Sequence, residues 1–366
     1  MNCRFLYLVG QLGPGGLERQ LYLLLKTIDR ARYRPQLVVW NFNQNDTYVP
    51  VIKKLGVPLR SLSGDRIEKL LRFRQLIRKI RPEVVHSYTF YTNFAALSGT
   101  LGTNITAVGS VRSDLGADKH ACGLLLGTLS GRWPKTQIYN NLAAVNKARS
   151  LQTWATPKRI ILVRNAIDLE QFRNVPFSTD GLVFIVGVGS LLPLKRWDRL
   201  LKASAILKAR GFKFLVEIAG DGPLRESLEL MARDLSIADM VRFRGYTDDI
   251  PMLLAGASFL AHTSDIEGCP NVVMEAMACG RAVVATDAGD VPNLVDDGKT
   301  GFVIRRGDDA RLVDCLATLI LDRELCSAMG YAARLKANLE FSPHRMVQET
   351  IAGYCAAGWK DPAKSR

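Results

Sequence analysis

The 366 residues hold few cysteines and few histidines, and neither type is clustered. Seven cysteines form no C-x-x-C pair, and His86, His120, His262 and His344 have no metal-ligand spacing. This usage argues against a disulfide-stapled scaffold and a structural metal, and predicts reduced thiols in a cytoplasmic protein. No run of eighteen apolar residues occurs, so no membrane-spanning helix is expected. The opening residues are too short on apolar sequence for a leader and read as a first strand. Repeats of fixed short period and low-complexity tracts are absent as well.

What is present is a globular composition, 48% hydrophobic and 23% charged, in a chain long enough for two domains. The net charge of +14 is unevenly placed. Residues 1–175 carry 26 Lys and Arg against 10 Asp and Glu, and the remainder 23 against 25. A basic first half suits nucleic acid, an anionic membrane or a phosphorylated acceptor, or serves solubility alone. The densest basic segment is 65–81, DRIEKLLRFRQLIRKIR. Its residues Ile67, Leu70, Leu71, Ile77 and Ile80 suit one helical face, with Arg66, Lys69, Arg72, Arg74, Arg78, Lys79 and Arg81 around them. We read it as a helix with its apolar face inward and a basic rim toward a membrane or acceptor.

Short apolar runs alternate with helical patterns along the whole chain. Runs at 4–10, 36–41, 57–62, 84–87, 105–111, 137–139 and 159–163 read as buried strands, and 66–80 as a helix. The same alternation resumes at 182–189, 213–222, 241–246 and 259–265. Alternating β and α elements predict an α/β fold with parallel sheets and right-handed crossovers. Ligands in such sheets bind at the carboxyl ends of strands, where His86, Arg112 and Ser113 fall. His86 could act as acid, base or hydrogen-bond donor, or be packed at a strand end. The loop GPGGLE at 13–18 ends in Glu18, and the second strand ends in Trp40 and Asn41 without an acid, which argues against a dinucleotide site. Residues 174–181 are polar, with Pro176 and Gly181, and read as an inter-domain linker.

The stretch 265–280, DIEGCPNVVMEAMACG, carries the sharpest chemistry. Glu267 lies in a loop after a strand. Gly268, Cys269, Pro270 and Asn271 form a turn, with Pro near the first helical position and Asn as a candidate cap. The helix then runs to Gly280, a C′ residue, with Glu275 about one turn in. Backbone N–H groups at a helix start attract phosphate. A carboxylate one turn on accepts hydrogen bonds from hydroxyls.

Two glutamates at this spacing, followed by RAVVATDAGDVPNLVDDGKTGFVI at 281–304 and preceded by VGVGSLLPLKRWDRLLKA at 186–203, resemble the E-x7-E motif and flanks of retaining GT-B glycosyltransferases, family 4 (group 1). The segment RNAIDLEQF resembles the family's pre-linker sequence, with Ala166 in place of Gly. The likeness implies two Rossmann-like domains facing across a cleft. It places an acceptor-side domain at 1–175, a nucleotide-sugar domain at 176–340 and a final helix, 341–366, crossing back to the first domain. The implied reaction is transfer of a sugar from a nucleotide-sugar to an acceptor hydroxyl with retention of configuration, in polysaccharide or glycolipid assembly. Neither metal nor cofactor is expected; Asp265-x-Glu267 has cation-binding spacing, but no Asp-x-Asp pair of the metal-dependent GT-A kind occurs.

By the same resemblance, Lys195 grips the donor diphosphate. Ser190 stands where the family has Arg, with Arg196 the neighbour able to compensate. Gly15 and Gly16 match the glycine loop near donor and acceptor. Arg244 and Tyr246 precede the base-contacting loop. Gly268, Cys269, Pro270, Asn271 and Val272 bind donor, Glu267 the donor sugar and Glu275 the ribose. Where many members have a His after the fifth strand this chain has VRSD, 111–114, so Arg112 is assigned to an anionic acceptor or the donor phosphate. Expected partners are a nucleotide-sugar, a lipid-linked or saccharide acceptor and an anionic membrane surface, but no nucleic acid. A phosphorylase or epimerase on the same fold, and a non-catalytic membrane-associated protein, are the alternatives.

Overall fold

The computed structural model describes residues 4–113, 115–175 and 181–362. Asp114 of the VRSD segment and residues 176–180 of the expected linker lie outside the described residues. Contacts divide the chain into two units: residues 1–166 with 343–366, and residues 167–342. The division falls between Ala166 and Ile167, ahead of the expected boundary at 175.

Unit 1 is built on seven parallel strands: β1 (Phe5–Val9), β2 (Gln36–Val39), β3 (Leu59–Ser61), β4 (Val84–Ser87), β5 (Thr106–Val111), β6 (Thr136–Tyr139) and β7 (Arg159–Leu162). Their order is β3-β2-β1-β4-β5-β6-β7. Unit 2 holds six: β8 (Val183–Val188), β9 (Phe214–Ala219), β10 (Val241–Gly245), β11 (Phe259–His262), β12 (Ala282–Thr286) and β13 (Gly301–Ile304), in the order β10-β9-β8-β11-β12-β13. Both are doubly wound α/β sheets. The central strands bury side chains on both faces, which is why FLYLV and AVVAT read as unbroken apolar runs. Each sheet reverses its strand order once, between β1 and β4 and between β8 and β11. The crevice outside the carboxyl ends of those strands is where ligands bind in open sheets.

The basic helix forms over Arg66–Ile80, started by a capping box in which Asp65 accepts from Ile67 and Glu68 N–H and Glu68 reaches back. Its inward face differs from the expected one. Phe73 and Ile77 are buried, while Ile67 and Leu71 are 70% and 58% exposed. Those two lie with Arg74 and Arg78 on a stripe spaced for one helix face. The physical reason is that the stripe Phe73–Ile77, three to four residues apart, packs on Leu6, Leu8 and Val85, and a helix has only one such face.

The last long helix, Pro343–Ala356, belongs to unit 1. It sends Met346, Val347 and Tyr354 into the core with Phe5, Tyr7 and Val84. Trp359 stacks edge-on against Phe5, and Asp361 takes a two-pronged hydrogen bond from Arg32. Among the described residues no helix is long and apolar enough to cross a membrane.

Candidate donor-binding site

In unit 2, β8 and β11 lie side by side at the switch point, so the loops leaving them meet. After β8 the chain passes through Gly189 and Ser190 to a short 3-10 turn, Pro193–Lys195, and then the helix Trp197–Ala209. Arg196 between them is left-handed, φ +52°. Gly187 and Gly189 leave room for the Trp197 indole, whose ring carbon would stand 2.5 Å from a Cβ on Gly187. Trp197 Nε1 donates to Ser190 O at 3.0 Å. Thr263, just after β11, donates to Lys195 O and Arg196 O, which fixes the turn to the β11 loop.

This framework brings Lys195 to Glu267, with Nζ 2.6 Å from Oε1. The side chains are 18% and 11% exposed, so the pair is largely desolvated. His262, the last residue of β11 and 1% exposed, places Nε2 3.1 Å from the same Oε1. The approach is too oblique for a well-formed hydrogen bond, and Nε2 is left without a partner. Burial alone would push the Glu267 carboxyl up. His262 and then Lys195 outweigh it and hold the group down to about 2, so Glu267 is an anion at any physiological pH.

The neighbouring arginines are committed elsewhere. Arg196 grips Asp198 through Nε and Nη2 (2.9 and 3.1 Å) and Asp265 through Nη1 (2.9 Å). Arg199 holds the other oxygen of Asp265 at 2.5 Å. The expectation that Arg196 replaces the family's missing Arg at Ser190 is therefore corrected. Its fork is satisfied by two carboxylates and it braces the β11 loop. Both carboxylates of the Asp265-x-Glu267 pair face basic side chains, Asp265 those of Arg196 and Arg199 and Glu267 that of Lys195. Among the described residues no group of three or more His, Cys, Asp or Glu is placed to hold a metal.

The E-x7-E segment folds as strand, loop and helix. The helix is Asn271–Ala278, with Gly280 at φ +72° closing it. Pro270 is the N-cap and Asn271 the first helical residue, reversing the expected roles. A proline cap offers no side-chain oxygen to the first-turn N–H groups. Cys269 is buried, its thiol against Met274 Sδ at 3.6 Å. Val272 is half-buried, and Glu275 is 2% exposed in the second turn. The backbone at Glu267 and Gly268 is pressed by the loop after β12. Asp290 N–H donates to Gly268 O at 2.8 Å. A Cβ on Gly289, φ +57°, would meet Gly268 O at 2.4 Å and Glu267 O at 2.5 Å.

Arg244 and Tyr246 stand apart from this cluster. Arg244 is on the edge strand β10, two strands from β8, and pairs with the buried Glu217 on β9 at 2.6 Å. Tyr246 is exposed and donates to Asp248 at 2.8 Å.

The unit 1 candidates are placed around β1, β4 and β5. His86 is 1% exposed on β4, with Nδ1 2.8 Å from Tyr354 Oη and Nε2 2.8 Å from Ser110 Oγ. Burial, then the charge of Arg112, holds it well below its usual range. Both nitrogens are taken and the ring is neutral and enclosed, so His86 is a core histidine and its assignment as a catalytic group is withdrawn. Arg112 follows β5 and lays its guanidinium 3.7 Å from the Tyr88 ring centroid. Gly15 caps the helix Gly16–Thr27, and Glu18 folds back so tightly that a Cβ on Gly15 would meet its Oε2 at 2.2 Å.

Three residues were missed in the sequence. Without metal-ligand spacing His262 stands out in no motif; its place at the end of a central strand, five residues before Glu267, is the available signal. Glu18 is 7% exposed, and burial pushes its carboxyl up. Gln20 exchanges two 2.8 Å hydrogen bonds with the Ala166 backbone, a contact across 146 residues that no local pattern announces.

Residues 168–336 match the family described as glycosyl transferases, group 1. A GDP-mannose-dependent alpha-(1-6)-phosphatidylinositol monomannoside mannosyltransferase of Mycobacterium tuberculosis is 29% identical over 217 residues, 54% of this chain and 56% of that protein. The chain thus spans about half the length of these mycobacterial relatives. The N-acetylgalactosamine-N,N'-diacetylbacillosaminyl-diphospho-undecaprenol 4-alpha-N-acetylgalactosaminyltransferase of Campylobacter jejuni is 29% identical over 357 residues, 89% of this chain and 92% of that one. Among solved structures, Anabaena HepE in complex with UDP superposes with a TM-score of 0.82 at 19% identity, over 96% of this chain and all of that one. Sucrose-phosphate synthase of Thermosynechococcus elongatus gives 0.80 at 15%, over 97% and 99%. The matched segment contains the whole E-x7-E unit, so residues 168–336 are similar to the group 1 glycosyl transferases, and the two sheets are those of the GT-B fold.

Proposed function

We propose that the protein transfers a sugar from a nucleotide-sugar to an acceptor hydroxyl with retention of configuration. The carrying observation is the Lys195–Glu267 pair at the β8–β11 switch point beside the start of the helix Asn271–Ala278. A departing diphosphate needs positive charge where its own charge develops. Lys195 has three donors, one spent on Glu267, and the helix start adds backbone N–H groups. Glu267 is an anion that reads sugar hydroxyls, and Glu275 reads the ribose. Ser190 adds no charge, so Lys195 carries the side-chain share alone. No side chain is assigned as a covalent nucleophile, and the leaving phosphate assists attack from its own face.

The names of the relatives favour a lipid-linked acceptor, a phosphatidylinositol glycolipid in one and a diphospho-undecaprenol glycan in another. We propose an acceptor of this class, with the protein peripheral at the inner face of a membrane. The basic helix Arg66–Ile80 supports that reading, since Ile67 and Leu71 are exposed among its cations.

The test is a thermal-shift and calorimetric panel of UDP-, GDP- and ADP-sugars. A bound donor raises the unfolding midpoint by mass action. We expect one base to be selected and Glu275→Gln to weaken it with the fold intact. No shift with any donor, or unchanged affinity in Glu275→Gln, would remove the reading or the ribose assignment respectively.

A further inference from the structure

Glu267 receives both of its basic neighbours on one oxygen. Lys195 Nζ and His262 Nε2 approach Oε1, at 2.6 and 3.1 Å. Among the described residues Oε2 takes no hydrogen bond. The two neighbours differ in kind. The ammonium ends a flexible four-carbon stem that is 18% exposed and can turn toward a phosphate. The imidazole is fixed: His262 pairs with Ala285 across β11 and β12, and its carbonyl accepts from Thr286 Oγ1. Its ring is 1% exposed and Nε2 has no other partner.

We propose that His262 is a positioning residue: it retains Oε1 of Glu267 when Lys195 turns to the donor phosphate, so that Oε2 stays presented to a donor-sugar hydroxyl. This rests on the nucleotide-sugar reading above. If Lys195 were the sole partner, its move to phosphate would leave a carboxylate 11% exposed and uncompensated. Such a group swings out or takes a proton, and either change loses the hydroxyl acceptor. The oblique Nε2 contact becomes an aligned hydrogen bond with a small rotation of the carboxylate, which the departure of Lys195 permits. Thr263 ties the same strand end to the Lys195 backbone, so the lysine stem and the imidazole keep their spacing through the exchange.

The competing account is packing, in which His262 only fills space beneath the loop. The two separate on substitution. His262→Phe fills the space without a nitrogen, while His262→Gln returns an N–H donor near Nε2. We would measure binding of UDP, GDP, UDP-glucose and GDP-mannose by calorimetry to wild type, both variants and Glu267→Gln, with thermal unfolding of each. Bare UDP or GDP should bind wild type and the two His262 variants within about 3-fold, because the proposal gives the imidazole no contact with the nucleotide. For whichever sugar nucleotide the wild type prefers, His262→Phe should weaken binding by about 10-fold or more, the scale of a hydrogen bond to a charged group. Glu267→Gln should do the same, and His262→Gln should recover most of the loss. Equal binding in the Phe and wild-type proteins overturns the proposal, and so does a Gln variant no better than Phe. A wild type that binds none of the four probes overturns the nucleotide-sugar reading instead. The unfolding data then still decide His262. Its Phe substitution must destabilise wild type more than it destabilises Glu267→Gln, and additive effects overturn the assignment.

Discussion

In the proposed reaction Lys195 is the side chain assigned to the counter-charge of the departing diphosphate. Lys195→Ala should lower transfer by roughly 10²-fold or more, as loss of one oxyanion-stabilising donor does, and single-turnover kinetics would read it. Near-normal chemistry in that variant would place the diphosphate elsewhere. Glu267 also makes the fold acid-sensitive. Its carboxyl is held at about 2 against an ordinary 4.5, so the unfolded chain binds the extra proton. The stabilisation is present above about pH 4.5 and is lost as pH falls toward 2, on the order of 3 kcal/mol in all. Glu267→Gln should therefore flatten that part of an acid-unfolding curve; an unchanged curve would mean that the pair does not hold in solution. The reassignment of His86 belongs at this scale too. Its type and strand-end position were legible, but the Tyr354 hydroxyl that closes it off comes from 268 residues away.

Two elements carry predictions of their own, and one of them is a glycine turn. Gly289 holds φ +57° with its α-carbon against the Glu267 and Gly268 carbonyls. Gly289→Ala adds a left-handed penalty of about 1–2 kcal/mol and a clash with backbone that cannot swing aside. We expect a lower unfolding midpoint and weaker donor binding together; a lower midpoint with intact binding would separate the turn from the site. The other element is the basic helix Arg66–Ile80. Arg74 is spent on the Ser98 and Leu101 carbonyls and Arg72 on Ser63, so these two are poor probes of a membrane role. Arg78, Lys79 and Ile67 project into solvent. Replacing Arg78 and Lys79 by Gln and Ile67 by Ser should release the protein from anionic vesicles. The wild-type binding should weaken as salt shortens the Debye length. Co-sedimentation indifferent to both would leave the acceptor a soluble one.

At the scale of the whole molecule, unit 1 is discontinuous. The chain leaves it after Ala166 and returns at Pro343, and the returning segment completes its core. Ending the chain at Ser342 would strip Met346, Val347, Tyr354 and Trp359 from Phe5, Tyr7 and Tyr33. We expect unit 1 to lose hydrogen-exchange protection in β1 and β4 while unit 2 keeps its own, and retained protection in β1 would show that the segment is dispensable.

The sequence by itself determined the strands β1 to β11, the alternation that makes both sheets parallel, the helix Arg66–Ile80 to the residue, and the local E-x7-E unit, while β12 and β13 lie in a stretch it marked only by resemblance. These depend on short-range periodicity, caps and glycines, which act within a few residues. It determined Lys195 and Glu267 as candidates through resemblance. Tertiary structure alone decided which candidates meet. It paired Lys195 with Glu267 across 72 residues, bound Arg196 to two aspartates, enclosed His86, and set His262 against Glu267. The reason is that strand order is not chain order. β8 and β11 are neighbours because two other strands pair on the far side of β8, and no periodicity in the chain encodes that choice.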